Sequence, residues 1–126
     1  MTSVVQNINF DCANAYDLAL FWSGVTGKPV HPDDGPGDPE VIVEMANGVT
    51  LFFGEVPEPK TVKNRVHVCL TPDIPREAEV ERLLALGAAM LHDLRNPDGT
   101  GWAVLGDPEG NEFCVLRSAA ERALTS

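Results

Sequence analysis

Residues Val4–Gly27 read VVQNINFDCANAYDLALFWSGVTG, and residues Arg65–Gly87 read RVHVCLTPDIPREAEVERLLALG. Each is an alternating stretch followed by an amphipathic one, and this repetition decides the fold. In the first, Ile8, Phe10 and Cys12 fall on one face of a strand, with Asn7, Asn9 and Asp11 on the other. Asn14 can then cap a helix on which Leu18, Phe21, Trp22 and Val25 recur at helical spacing, and Gly27 closes it. In the second, Val66, Val68 and Leu70 oppose Arg65, His67, Cys69 and Thr71. Pro75 and Gly87 bound the amphipathic helix that follows.

What comes after each helix is also shared. The Gly/Pro/Asp-rich HPDDGPGDPE, residues 31–40, is read as an irregular loop, either a lid or a plain surface loop. Strands at 41–46 and 49–56 then meet at Asn47-Gly48, a strong hairpin signal. A proline-bearing linker, 57–63, leads into the second copy, whose later strands read AAMLHDL, GWAVLGD and NEFCVLR. Between the last two, Asp107-Pro108-Glu109-Gly110 makes a tight turn. It sends Phe113 and Val115 one way and Glu112, Cys114 and Leu116 the other.

The order β-α-β-β-β is therefore expected twice. The chain reads as a single α+β domain over 1–126, with module one at about 4–56, module two at about 64–117 and a short tail at 118–126 that could form a helical turn but carries little signal. Each module has one apolar sheet face to place on its helix and needs a partner for the other face. Two half-sheets pairing in this way give a curved cup with helices outside and the non-helix faces lining it.

Bulk properties narrow the functions. The 126 residues hold 19 acidic and 9 basic side chains, for a net charge of −10, a field that repels nucleic acid. No apolar run is long enough to span a bilayer, and the N-terminal segment lacks a signal peptide's basic start, so no membrane partner and a cytoplasmic location are expected. Cys12, Cys69 and Cys114 sit in strand-like runs without CxxC spacing, which favours buried thiols in a reducing compartment.

DCANAYDLALFW at 11–22, VPEPKTVKNRVHVCLTPD at 56–73 and GWAVLGDPEGNEFCVL at 101–116 together resemble the vicinal-oxygen-chelate superfamily of glyoxalase-like, bleomycin-resistance-like and extradiol dioxygenase proteins. The likeness runs from about Val4 to Arg117. It implies the two-module cup and a homodimer. Metal-dependent members place four ligands on the cup wall, and the matching positions here are Asn7, Phe52, His67 and Cys114. His67 fits; Cys114 stands where a glutamate is usual, and Phe52 is no ligand. No cofactor is therefore expected, and glyoxalase I activity is not expected either. A divalent metal held by His67, Cys114 and Glu112 is the alternative.

Without a metal, the wall still combines polar groups with flat apolar surface, as ligand pockets do. Asn7, Asn9, Asp11, Phe52, Arg65, Cys69, Trp102 and Cys114 are the candidate ligand-binding residues. His67 and Glu112 are the candidate acid/base pair, with Arg65 fixing an anionic group. Plainer readings stand beside these. Asp11 can hydrogen-bond backbone amides near the helix start, Arg65 can pair with Glu112 or Asp11, and Lys60 and Lys63 can be solvated. The expected function is binding of a small molecule at a degenerate metal site, in a metabolic or resistance-type role. The rivals are a divalent-metal-dependent lyase, isomerase or dioxygenase, and a non-catalytic structural or interaction domain.

Overall fold

The computed structural model describes residues 1–125, so Ser126, the end of the expected tail, lies outside the described residues. The architecture is α+β with two small sheets. The chain divides into two units, Met1–Lys60 and Thr61–Ser126.

In the first unit, strand β1 spans Asn7–Cys12, helix α1 Ala15–Thr26, β2 Glu40–Glu44 and β3 Thr50–Glu55. The Asn14 side chain accepts from the Asp17 amide at 3.1 Å, satisfying one of the free N–H groups that open a helix. At the other end Gly27 takes a left-handed φ of 72° and returns its N–H to the Ser23 carbonyl. β3 lies between β1, to which it runs parallel, and β2, to which it runs antiparallel. The Asn47-Gly48 hairpin forms as expected, with the Asn47 side chain accepting from the Val49 amide.

One face of this sheet is covered by α1. Leu18, Trp22, Val41, Val43, Leu51 and Phe53 are buried together, and Phe10 stacks 5.2 Å from both Trp22 and Phe53. The third strand that the repeat calls for after the helix is reduced to one bridge, Val30 to Val43. The proline- and glycine-rich stretch that follows leaves no room for a longer ladder. That stretch is tied to β2, since Asp34 accepts from the Ile42 amide at 3.0 Å and His31 donates its amide to the Ile42 carbonyl.

In the second unit, β4 spans Val68–Leu70, α2 Arg76–Leu86, β5 Ala89–Arg95, β6 Gly101–Gly106, β7 Glu112–Val115 and α3 Ala119–Thr125. The sheet order is β4-β7-β6-β5, with β4 parallel to β7 and the remaining pairs antiparallel. Val80 and Leu83 of α2 are buried with Ala103, Leu105, Phe113 and Val115. The Asp107–Gly110 turn is held by the buried Asp107 carboxylate, which accepts from the Glu109 and Asn111 amides, each at 2.9 Å.

One expectation is corrected and one, the helical turn of the tail, is borne out. The strand expected over Arg65–Thr71 is only Val68–Leu70, because β7 offers only Phe113–Val115 as partners; Val66 is consequently exposed rather than part of the core. The tail is a helix with a capping box: Ser118 Oγ accepts from the Glu121 amide, and Glu121 accepts from the Ser118 amide. Glu121 also accepts from the Arg76 amide at 2.8 Å, and the buried Arg76 guanidinium donates to the Gly101 carbonyl at 2.7 Å. These contacts dock α3 on the start of α2. Among the described residues no helix is long and apolar enough to cross a membrane.

Candidate functional site

Pairing fixes which side chains share a face. In the parallel pair β4/β7, Val68 lies beside Phe113, Cys69 beside Cys114 and Leu70 beside Val115. Phe113 and Val115 point into the α2 core, so Glu112, Cys114 and Cys69 occupy the opposite face. Across β6 and β5 that face continues through Val104, paired with Cys114, then Trp102, Leu94 and His92. Trp102 and Leu94 are 44% and 46% exposed, and the Leu91 side chain lies over Gly106. The second unit thus presents an apolar floor, with polar groups at one edge.

Those polar groups converge on Glu112. Its Oε2 lies 2.9 Å from Lys63 Nζ and 3.2 Å from His67 Nε2. The carboxylate is 10% exposed, against 29% for His67 and 63% for Lys63. Asn64 fastens the arrangement twice. Its side-chain oxygen accepts from the Glu112 amide at 3.1 Å, and its carbonyl lies 3.2 Å from His67 Nε2. Both neighbours of Nε2 are oxygen acceptors, so the ring proton belongs on Nε2, and a neutral ring keeps its lone pair on Nδ1. The trio can therefore donate, accept and supply positive charge within one cluster.

Cys69 and Cys114 sit one pleat further along. Cys114 is buried while Cys69 is exposed, which corrects the expectation that all three thiols are buried. Burial, followed by the neighbouring Cys69 thiol, pushes the Cys114 thiol up to about 11. It is a protonated thiol at neutral pH, not the thiolate that a nucleophilic or metal-binding role needs.

In the first unit, Asn7, Asn9 and Asp11 are exposed on the face turned away from α1, and the Asn7 amide donates to the Asn9 side-chain oxygen. Phe52 lies beside Asn9 in register, on the same face and half-buried, with its ring over Gly54. Asp11 does not serve the helix start; Asn14 does.

Lys63 and Asn64 were invisible to sequence reasoning, which took Lys63 as solvated and offered Arg65 as a cross-strand partner for Glu112 or Asp11. Arg65 is exposed and precedes β4, and the cation on the carboxylate is Lys63. The two residues are 49 apart in the chain, and no periodicity carries such a pairing. Among the described residues no group of three or more His, Cys, Asp or Glu side chains could hold a metal ion.

Residues 7–116 match the family model described as a glyoxalase-like domain. No curated protein matches the chain in sequence. Among solved structures, a hypothetical protein from S. aureus is 18% identical over 93% of this chain and 95% of its own, with a TM-score of 0.70. A variant of the genomically encoded fosfomycin resistance protein FosX from Listeria monocytogenes, complexed with Mn(II) and 1S,2S-dihydroxypropylphosphonic acid, is 18% identical. The match covers 98% of this chain and 97% of that one, with a TM-score of 0.70. A glyoxalase/bleomycin resistance protein/dioxygenase family enzyme from Burkholderia phytofirmans is 15% identical over 90% and 97%, with a TM-score of 0.69. At these identities the likeness is one of fold.

Proposed function

The chain belongs to the glyoxalase-like domain family, and on that premise we propose that it binds a small, partly apolar molecule, in a metabolic or resistance-type role that does not use a divalent metal. One observation carries this reading: the Lys63–Glu112–His67 cluster stands at the edge of an apolar floor made by Trp102, Leu94 and Leu91. Apolar surface supplies affinity, and a few fixed polar groups supply orientation. Lys63 and the exposed Arg65 suit an anionic substituent, while Glu112 and His67 suit a hydroxyl or amide. In the first unit, Asn7, Asn9, Asp11 and Phe52 form a second face of similar character. Cys69 and Cys114 complete the ligand-binding set. Location in the cytoplasm and assembly as a homodimer belong to the same reading.

A divalent ion such as the Mn(II) of the Listeria FosX complex does not suit these residues. Catalytic ions commonly take at least three protein donors. Here Glu112 Oε2 already faces an ammonium group and the adjacent thiol is protonated, and among the described residues no group of three His, Cys, Asp or Glu side chains comes together to hold an ion. Were a reaction to occur, Glu112 would hold the Nε2 proton of His67 in place while Nδ1 accepts a proton from the ligand.

The test is a thermal-shift screen of small anionic and hydroxylated metabolites, repeated on Glu112→Gln and Lys63→Ala. A ligand at a hundred times its Kd stabilises the folded state by about 2.7 kcal/mol, a midpoint rise of roughly 10 °C for a domain this size. We expect at least one compound whose shift is lost in both variants. A screen whose hits are indifferent to both substitutions would overturn the site and leave the interaction-domain reading. A stoichiometric metal in protein purified without chelator, lost in His67→Ala, would replace this proposal with a metal-dependent lyase, isomerase or dioxygenase.

A further inference from the structure

Cys69 and Cys114 are direct register partners on the parallel strands β4 and β7 and project from the same face. Neighbouring strands lie roughly 4.8 Å apart, and disulfides bridge Cα atoms roughly 4.4–6.8 Å apart. Their surroundings differ: Cys69 is exposed and Cys114 buried. Cys12 belongs to the first unit, where its thiol donates to the Gly54 carbonyl at 3.4 Å.

We propose that Cys69 and Cys114 form a reversible oxidation site that undergoes thiol–disulfide exchange with low-molecular-weight disulfides. Cys69 is the entry point. After giving its proton to water, its sulfur attacks one sulfur of the reagent. The reagent's S–S bond breaks, one thiolate leaves and is protonated, and Cys69 carries the mixed disulfide. Cys114 then loses its proton to solvent and attacks the Cys69 sulfur, expelling the second reagent thiolate, which is protonated in turn. Two protein thiols are oxidised to one disulfide, and one reagent disulfide is reduced to two thiols. Burial favours this order, because a thiol held protonated and shielded is a poor first attacker, yet it adjoins the sulfur it must resolve. The exposed Cys69 sulfur leaves the product bond open to attack by a reducing thiol.

The test exposes the folded, full chain to oxidised glutathione, quenches with acid, alkylates the remaining thiols in denaturant and maps the peptides by mass. The expected result is loss of two of the three free thiols, a Cys69–Cys114 cross-linked peptide, Cys12 alkylated, and recovery of all thiols with reduced glutathione. Cys114→Ser should stop at a glutathione adduct on Cys69, and Cys69→Ser should give neither adduct nor cross-link. The exposed Cys69 variant keeps the test decisive if the buried one does not fold. Wild-type protein that stops at a Cys69 adduct, does not react, or cross-links only after unfolding would overturn the proposal.

Discussion

Asp107→Ala should weaken the hairpin that positions Glu112. Asp107 is 5% exposed, and its carboxylate accepts from the Glu109 and Asn111 amides on Oδ1, each at 2.9 Å, and from Asn111 Nδ2, at 3.0 Å on Oδ2 and 3.3 Å on Oδ1. Bonds to a charged acceptor contribute about 1.5–3 kcal/mol each. Glu109 and Asn111 are only half-buried, so water reaches much of what the substitution strips bare. The net loss should be about 3 kcal/mol. Asp107→Asn keeps a carbonyl oxygen for the two amides and should cost about 1 kcal/mol. Urea unfolding followed by circular dichroism reads both, with an unchanged slope showing that the unfolded state is the same. An alanine variant within about 0.5 kcal/mol of wild type, or an asparagine variant as damaged as alanine, would show that the turn does not depend on those acceptor bonds.

Gly101→Ala and Gly99→Ala form a matched pair. Both glycines have positive φ, 87° and 90°, but a Cβ at 101 would meet the Leu94 carbonyl oxygen at 2.0 Å, whereas 99 faces open space. Gly99→Ala should cost about 1 kcal/mol for the left-handed backbone. Gly101→Ala should cost about 3 kcal/mol or fail to fold; equal thermal midpoints would contradict the clash. Hydrogen bonds from Arg95 hold the exposed Asp93 carboxylate down at about 2. A lowered carboxylate contributes stability above its unfolded value of 3.8 and loses it as pH falls through about 2. Asp93→Asn should therefore differ from wild type at pH 6 and converge with it at pH 2. A difference that persists at pH 2 would place the effect elsewhere.

The sequence showed most clearly what depends on neighbours in the chain. Asn14 and Gly27 end α1 through bonds to residues three or four away, and Asn47-Gly48 closes its hairpin locally. The Phe113/Val115 alternation was equally legible, because both side chains are buried against α2. What failed depended on distant partners. RVHVCLT alternates throughout, but alternation does not say where pairing begins, and only three of its residues pair with β7. Hence His67 precedes the strand, and Val66 meets water. Lys63 found Glu112 across the length of the unit, and Cys69 stayed exposed although its strand neighbour Cys114 did not. The tail was legible only as a helical turn, and the spacing of Ser118 and Glu121 is the local signal that makes it a capped helix.

In both units the earliest strand lies parallel to the latest, β1 against β3 and β4 against β7. Neither pairing can begin until a loop of roughly forty residues has closed, whereas β2–β3 and β5–β6–β7 zip up across short turns. Each half should thus acquire order from its later segments backward, with its opening strand inserted last. On a ribosome, where the opening strand emerges first, that segment must wait unpaired until the end of its own half has been made.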